Sequence, residues 1–98
     1  DRIVQIPGLD SICLGPMDLS GSVNKLGQTS DPEVVQLIET TIQAGRDAGL
    51  YIGMGMAASP SFALNAIKQG VQWCQCGTDM ELIVSGARTL YQEIRESL

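Results

Sequence analysis

One pattern recurs three times along this chain and limits what it can fold into. A short apolar run ends at a small-residue turn, and a capped segment with helical periodicity follows. The runs are "SICLG", "YIGMGM" and "VQWCQC", each about the length of a strand. After the first comes "SDPEVVQLIETTIQAGRDAG". Asp31 suits a helix N-cap, Pro32 the first helical position and Glu33 the first turn. Val34, Ile38 and Ile42 recur at i, i+4, flanked by Val35 and Leu37, and Gly49 offers a left-handed stop. The spacing predicts a helix from about Pro32 to Ala48. In "SPSFALNAIKQG", Ser59 caps, Pro60 starts, Phe62, Ala63, Ala66 and Ile67 are expected to face inward, and Gly70 ends the helix. In the third unit Asp79 is expected as N-cap with Glu81 just inside. Ile83, Ala87, Leu90, Tyr91 and Ile94 follow at helical spacing. Strands alternating with helices imply an α/β fold with parallel strands and right-handed crossovers.

Three such units make an uncomfortable domain. A parallel sheet needs cover on both faces, and here two edges and one face stay open. Either a small three-layer sheet stands alone, or the units belong to a larger α/β barrel; the second is the expectation. The chain has 98 residues and is 44% hydrophobic, enough to bury a core. It starts "DRIVQIPG", with neither an initiator methionine nor a signal-peptide pattern, so a processed start or a piece of a longer protein is expected. A net charge of -5 argues against nucleic acid and anionic membranes as partners, and no apolar run is long enough to span a bilayer. Three cysteines, Cys13, Cys74 and Cys76, form no disulfide framework, and no histidine is present to complete a metal clip. Free structural thiols in a reducing, cytoplasmic compartment are expected.

Chemistry in parallel α/β folds gathers at the C-terminal ends of strands. Here those ends read "GPMDLS", "GMAAS" and "CGTD". Residues Pro16 to Asp31 read as a long Gly- and Ser-rich loop, a kind of segment that often carries function. Gly15 allows close approach to the backbone, Pro16 stiffens the turn, and N–H groups from Met17 onward are free to meet an anion. For Asp18 two readings stand. It can hold a hard divalent cation, or it can cap its own turn by bonding the N–H of Leu19 or Ser20. Asp79 reads as a helix cap. Met54 and Met56, alternating with Gly53 and Gly55, read as core filling.

The segment "IPGLDSICLGPMDLSGSVNKLGQTSDPEVVQLIETTIQAGRDAG" resembles the metal-dependent pyruvate aldolases of the HpcH/HpaI family. The "PGLD" lead-in, "GPMDLS" at a strand end, the spacing to Gly27, Gln28 and Pro32-Glu33-Val34, and a late "GTD" carry the likeness, over roughly Ile6 to Leu90. The resemblance implies a (β/α)8 TIM barrel of which residues 1–98 are the C-terminal three βα units, the N-terminal barrel portion lying outside this chain. It implies homo-oligomers whose last helix packs on a neighbouring subunit. It implies reversible cleavage of a 4-hydroxy-2-keto acid to pyruvate and an aldehyde, through an enolate stabilised by Mg²⁺, Mn²⁺ or Co²⁺, without a Schiff-base lysine. Carried over by position, Asp18 is a metal ligand, Met17 meets the substrate carboxylate through its N–H, and Gly15 and Pro16 shape that turn. The family's second metal ligand (a glutamate), its arginine and its histidine base have no counterpart here. Arg2, Arg46, Arg88 and Arg95 lie before the first strand or on helices, so no catalytic residue is assigned and the chain alone is expected to be inactive. Gly55 stands where the family often has a larger apolar residue, so a wider pocket is expected there. Two other readings are a barrel-derived assembly or binding module and a citrate-lyase-β-like acyl-CoA lyase. The lack of basic residues for CoA phosphates near the strand tips disfavours the lyase.

Overall fold

The computed structural model describes residues 2–98. After a single 3-10 turn at Ile3–Gln5, the chain alternates strands and helices: β1 (Ser11–Leu14), α1 (Pro16–Ser22), α2 (Pro32–Asp47), β2 (Tyr51–Met56), α3 (Pro60–Lys68), β3 (Trp73–Cys76) and α4 (Asp79–Glu96). The strands form one parallel sheet in the order β1-β2-β3. Ser11 pairs with Tyr51 and Leu14 with Met54; Gly53 pairs with Trp73 and Met56 with Cys76. The parallel βα organisation expected from the sequence is therefore present, with strand ends displaced by a residue or two.

The core lies on one face of this sheet. Ile52 and Met54 of the central strand are fully buried, together with Leu14 of β1. Val34, Ile38 and Ile42 come down on them from α2. The i, i+4 spacing puts those three on one helix face, and each side chain that is fully buried contributes about 1.5–3 kcal/mol. The helix approaches closely because Gly45 has no side chain; a Cβ there would overlap Ile52 and Ile12. Asp31 caps α2 by accepting from the Glu33 N–H at 2.9 Å. Helix α3 adds Ala66 and the partly buried Phe62, and Val71 closes the bottom. Ile67, expected inward, is 56% exposed. A helix of nine residues covers only a narrow stripe, Phe62 and Ala66 at i, i+4, and Ile67 lies about 100° around from it.

Two further expectations are corrected. The segment after β1 is not a plain loop, because Pro16–Ser22 is helical. Pro16 sits at its first position, and the Leu19 N–H already donates to the Gly15 carbonyl at 2.9 Å. Buried Ser20 then pins the return: its hydroxyl donates to the Met17 carbonyl at 2.6 Å and accepts from the Gly27 N–H at 2.9 Å. Lys25 ties the same connection to α2, with Nζ 2.7 Å from Asp31 and 2.9 Å from Glu33. The hydrogen bond from Lys25 is the main reason the Asp31 carboxyl titrates below its ordinary range.

The second correction concerns α4. Its N-cap is Thr78, not Asp79. Thr78 takes the extended conformation, its hydroxyl accepts from the Glu81 N–H at 3.2 Å, and Glu81 reaches back to the Thr78 N–H at 2.9 Å. This capping box puts Asp79 one place inside the helix. No residue of α4 is buried. The expected apolar stripe exists, but Ile83, Leu90, Tyr91 and Ile94 all lie open, because nothing in the described chain packs over them. Among the described residues, no helix is long and apolar enough to cross a membrane.

Candidate metal and substrate cleft

Strand alternation gives the sheet a second face, away from α2 and α3. Ser11 and Cys13 of β1, Gly53 and Gly55 of β2, and Trp73 and Gln75 of β3 belong to it. The Trp73 ring lies over Gly53, where a Cβ would overlap it. Its Nε1–H donates to the Ser11 hydroxyl at 2.9 Å, and that hydroxyl donates to the Tyr51 carbonyl, also at 2.9 Å. The indole is thus laid across all three strands.

One step toward the strand tips, the face opens into a cleft of about 520 Å³. Gly15, Met17 and Asp18 line it from the end of β1, Gly55 and Gln75 from the sheet, and Glu81 from α4. A wider, shallower depression of about 780 Å³ on the outer side of α2 touches none of these strand-tip residues. All three residues predicted as site residues, Gly15, Met17 and Asp18, therefore meet at one concave mouth.

Asp18 is the third residue of α1, exposed, and folded back over the turn. Its carboxylate lies so close to Gly15 that a Cβ there would overlap it. The glycine is needed for this contact rather than for an unusual backbone angle, since its φ is -109°. The turn's own hydroxyls, Ser20 and Ser22, donate to carbonyls of α1 and leave the Asp18 carboxylate alone. Of the two readings the residues allowed, capping the turn finds no support among these bonds. The Met17 and Asp18 N–H groups belong to the first turn of α1, which leaves them without helical partners.

An exposed carboxylate at a stiff turn is the donor a hard dication takes. It is not a complete site. Among the described residues no group of three or more His, Cys, Asp or Glu side chains converges. Glu81 shares the cleft, but its carboxylate is engaged in the capping box. Asp79, whose side chain accepts from the Met80 N–H, does not line it. Among the described residues that line the cleft, Asp18 has the one carboxylate that the chain's own groups do not engage.

The cysteines divide. Cys74 packs against the core, and burial pushes its thiol above the ordinary range, with Cys76 adding to the effect. Cys13 and Cys76 are exposed, so of the Cys74–Cys76 pair expected to be structural only Cys74 packs against the core. Met54 fills the core as expected; the side chain of Met56 lies outside the described residues. Sequence reading missed Gln75 and Glu81 as cleft residues. The signal for Gln75 was its period-two spacing from Trp73 on the open face.

The parallel βα sheet with its chemistry at the strand tips is an α/β architecture, and comparison with known proteins identifies the family. A family profile described as "HpcH/HpaI aldolase/citrate lyase" matches residues 1–86. This chain belongs to the HpcH/HpaI aldolase/citrate lyase family. It is 34% identical over 82 residues to a 2-keto-3-deoxy-L-rhamnonate aldolase of Escherichia coli K12, and the match covers 84% of this chain and 30% of that protein. A family member from Burkholderia cenocepacia J2315 superposes with a TM-score of 0.91 at 28% identity, over 96% of this chain and 36% of that one. An HpcH/HpaI aldolase from Desulfitobacterium hafniense DCB-2 gives 0.85 at 26% identity, with the same coverage. A citrate synthase, SbnG, shares the fold at 22% identity. The chain thus spans about a third of the length of these relatives.

Proposed function

We propose that this chain is three βα units of a (β/α)8 barrel that works as a divalent-metal-dependent aldolase. It would cleave a 4-hydroxy-2-keto acid to pyruvate and an aldehyde. The observation that carries the reading is the Asp18 carboxylate, folded over Gly15 and open to a cleft at the strand tips, in a chain of this family. Asp18 would hold the metal, Mg²⁺, Mn²⁺ or Co²⁺, together with ligands from outside this chain. A dication bound there supplies Lewis-acid polarisation of the keto acid. The free N–H of Met17 would meet the substrate carboxylate, favoured by the adjacent helix start. Gly15 keeps the space in which the Asp18 side chain sits.

The open apolar stripe of α4 supports assembly into homo-oligomers, with a second copy over Leu90, Tyr91 and Ile94. The open sheet edges support pairing with the rest of the barrel. A cytoplasmic compartment suits the three free thiols.

The test is pyruvate release from a 4-hydroxy-2-keto acid by the complete polypeptide carrying this segment. Chelation with EDTA should abolish release, and added Mn²⁺ or Mg²⁺ should restore it. Turnover indifferent to the chelator overturns the reading. A second expected result concerns Gly15→Ala. The added methyl must displace the Asp18 carboxylate, which is exposed and free to move, so the fold should keep its thermal midpoint. Mn²⁺ affinity measured by calorimetry should fall roughly tenfold, the size of effect seen when a ligand loses its support.

A further inference from the structure

Each residue that β3 presents on the open face leans over a glycine of β2. Trp73 covers its register partner Gly53, and Gln75 covers its partner Gly55. The Gln75 Oε1 is 3.3 Å from where a Gly55 Cβ would stand. The Nε2 of the same amide donates to the Gly77 carbonyl at 3.1 Å. A carbonyl only accepts, so the amide nitrogen must face Gly77 and the oxygen must face the cleft. Gly55 therefore does not simply widen the pocket, because a hydrogen-bonding group occupies much of the space. At the tips of β1 and β2, Gly15 and Gly55 have no side chains, so the sheet brings the Gln75 amide and the Cys13 thiol to the mouth, and the amide is the strong hydrogen-bonding group of the two.

We infer that Gln75 is a specificity-determining residue of this cleft, its Oε1 accepting a hydrogen bond from a hydroxyl on the aldehyde portion of the substrate. The inference rests on the aldolase reading and deepens it. Strands lie about 4.8 Å apart, so Gln75 sits roughly 10 Å across the sheet from the Gly15 turn. A keto acid anchored at Asp18 by its pyruvate end would bring its far end toward Gln75. An oriented acceptor there favours a hydroxylated aldehyde over one that lacks the hydroxyl, since the latter leaves the amide oxygen without its partner.

The test uses the complete polypeptide with Mn²⁺, pyruvate as donor, and two acceptors that differ by one hydroxyl, lactaldehyde and propionaldehyde. The measured quantity is the ratio of their kcat/KM values. Gln75→Met keeps the length and removes the acceptor; the ratio should fall roughly tenfold. Gly55→Ala leaves Gln75 in place but crowds its oxygen, and the ratio should fall by a smaller factor, about threefold. Far-UV circular dichroism checks that both variants fold. A ratio unchanged in both variants overturns the role of Gln75 while leaving the aldolase reading intact. An unsubstituted protein that converts neither aldehyde overturns both.

Discussion

Asp18→Asn in the complete polypeptide is expected to lower metal-dependent pyruvate release at least about a hundredfold and to weaken Mn²⁺ binding in parallel. The substitution keeps the side chain's shape, so the contact with Gly15 survives. It removes the negative charge, which is what a hard dication selects among oxygen donors. Thermal stability should hardly change, because the carboxylate is exposed and makes no bond to the hydroxyls of its own turn. The comparison that decides is affinity against stability. A variant that turns over within a few-fold of the unsubstituted protein would place the metal elsewhere. One that loses activity only by unfolding would return Asp18 to a structural role.

The second large effect is on stability. Ile52→Ala should cost about 3 kcal/mol, read as a lower midpoint in urea denaturation. Ile52 is 0% exposed in the central strand and presses on α2 where Gly45 has no side chain. Neither the glycine nor the bonded strands on either side can move in to fill the hole, so the cavity stays open. Tyr51 is the control. It is the neighbouring residue, 61% exposed on the other face, and Tyr51→Ala should cost well under half as much. Equal losses at the two positions would mean that the sheet has no preferred inner face.

Comparison of particular elements explains what could be read from the chain and what could not. Helix α2 was legible almost to the residue, because its cap, proline, apolar stripe and terminal Gly49 are all local signals. The three strands were legible as runs and as a parallel set, while their order, β1-β2-β3, came from the structure. Helix α1 was not, because "PMDLSGS" has a glycine and two serines and only one turn of apolar residues. It is held by buried Ser20 bonding to Met17 and Gly27, a network that exists only after the return is folded. The choice of Thr78 over Asp79 turned on one backbone conformation, and both residues make good caps. In α4 the periodic stripe was read correctly, and the structure adds that nothing in the described chain covers it, since periodicity says which residues share a face and nothing about what covers it.

The cleft shows the same division. Gly15, Met17 and Asp18 are neighbours in the chain and could be singled out together as a strand-tip motif. Gln75 and Glu81 are about sixty residues away and join them only through the parallel register and the capped start of α4. By itself the sequence determined the alternation of elements and the stiff Gly-Pro turn that carries an acid, because propensity, capping and periodicity act within a few residues. Tertiary structure alone decided that the acid lies over Gly15 and that a glutamine lying over Gly55 lines the same cleft. Those facts depend on contacts between strands, and a strand's neighbours are set by how the whole sheet packs.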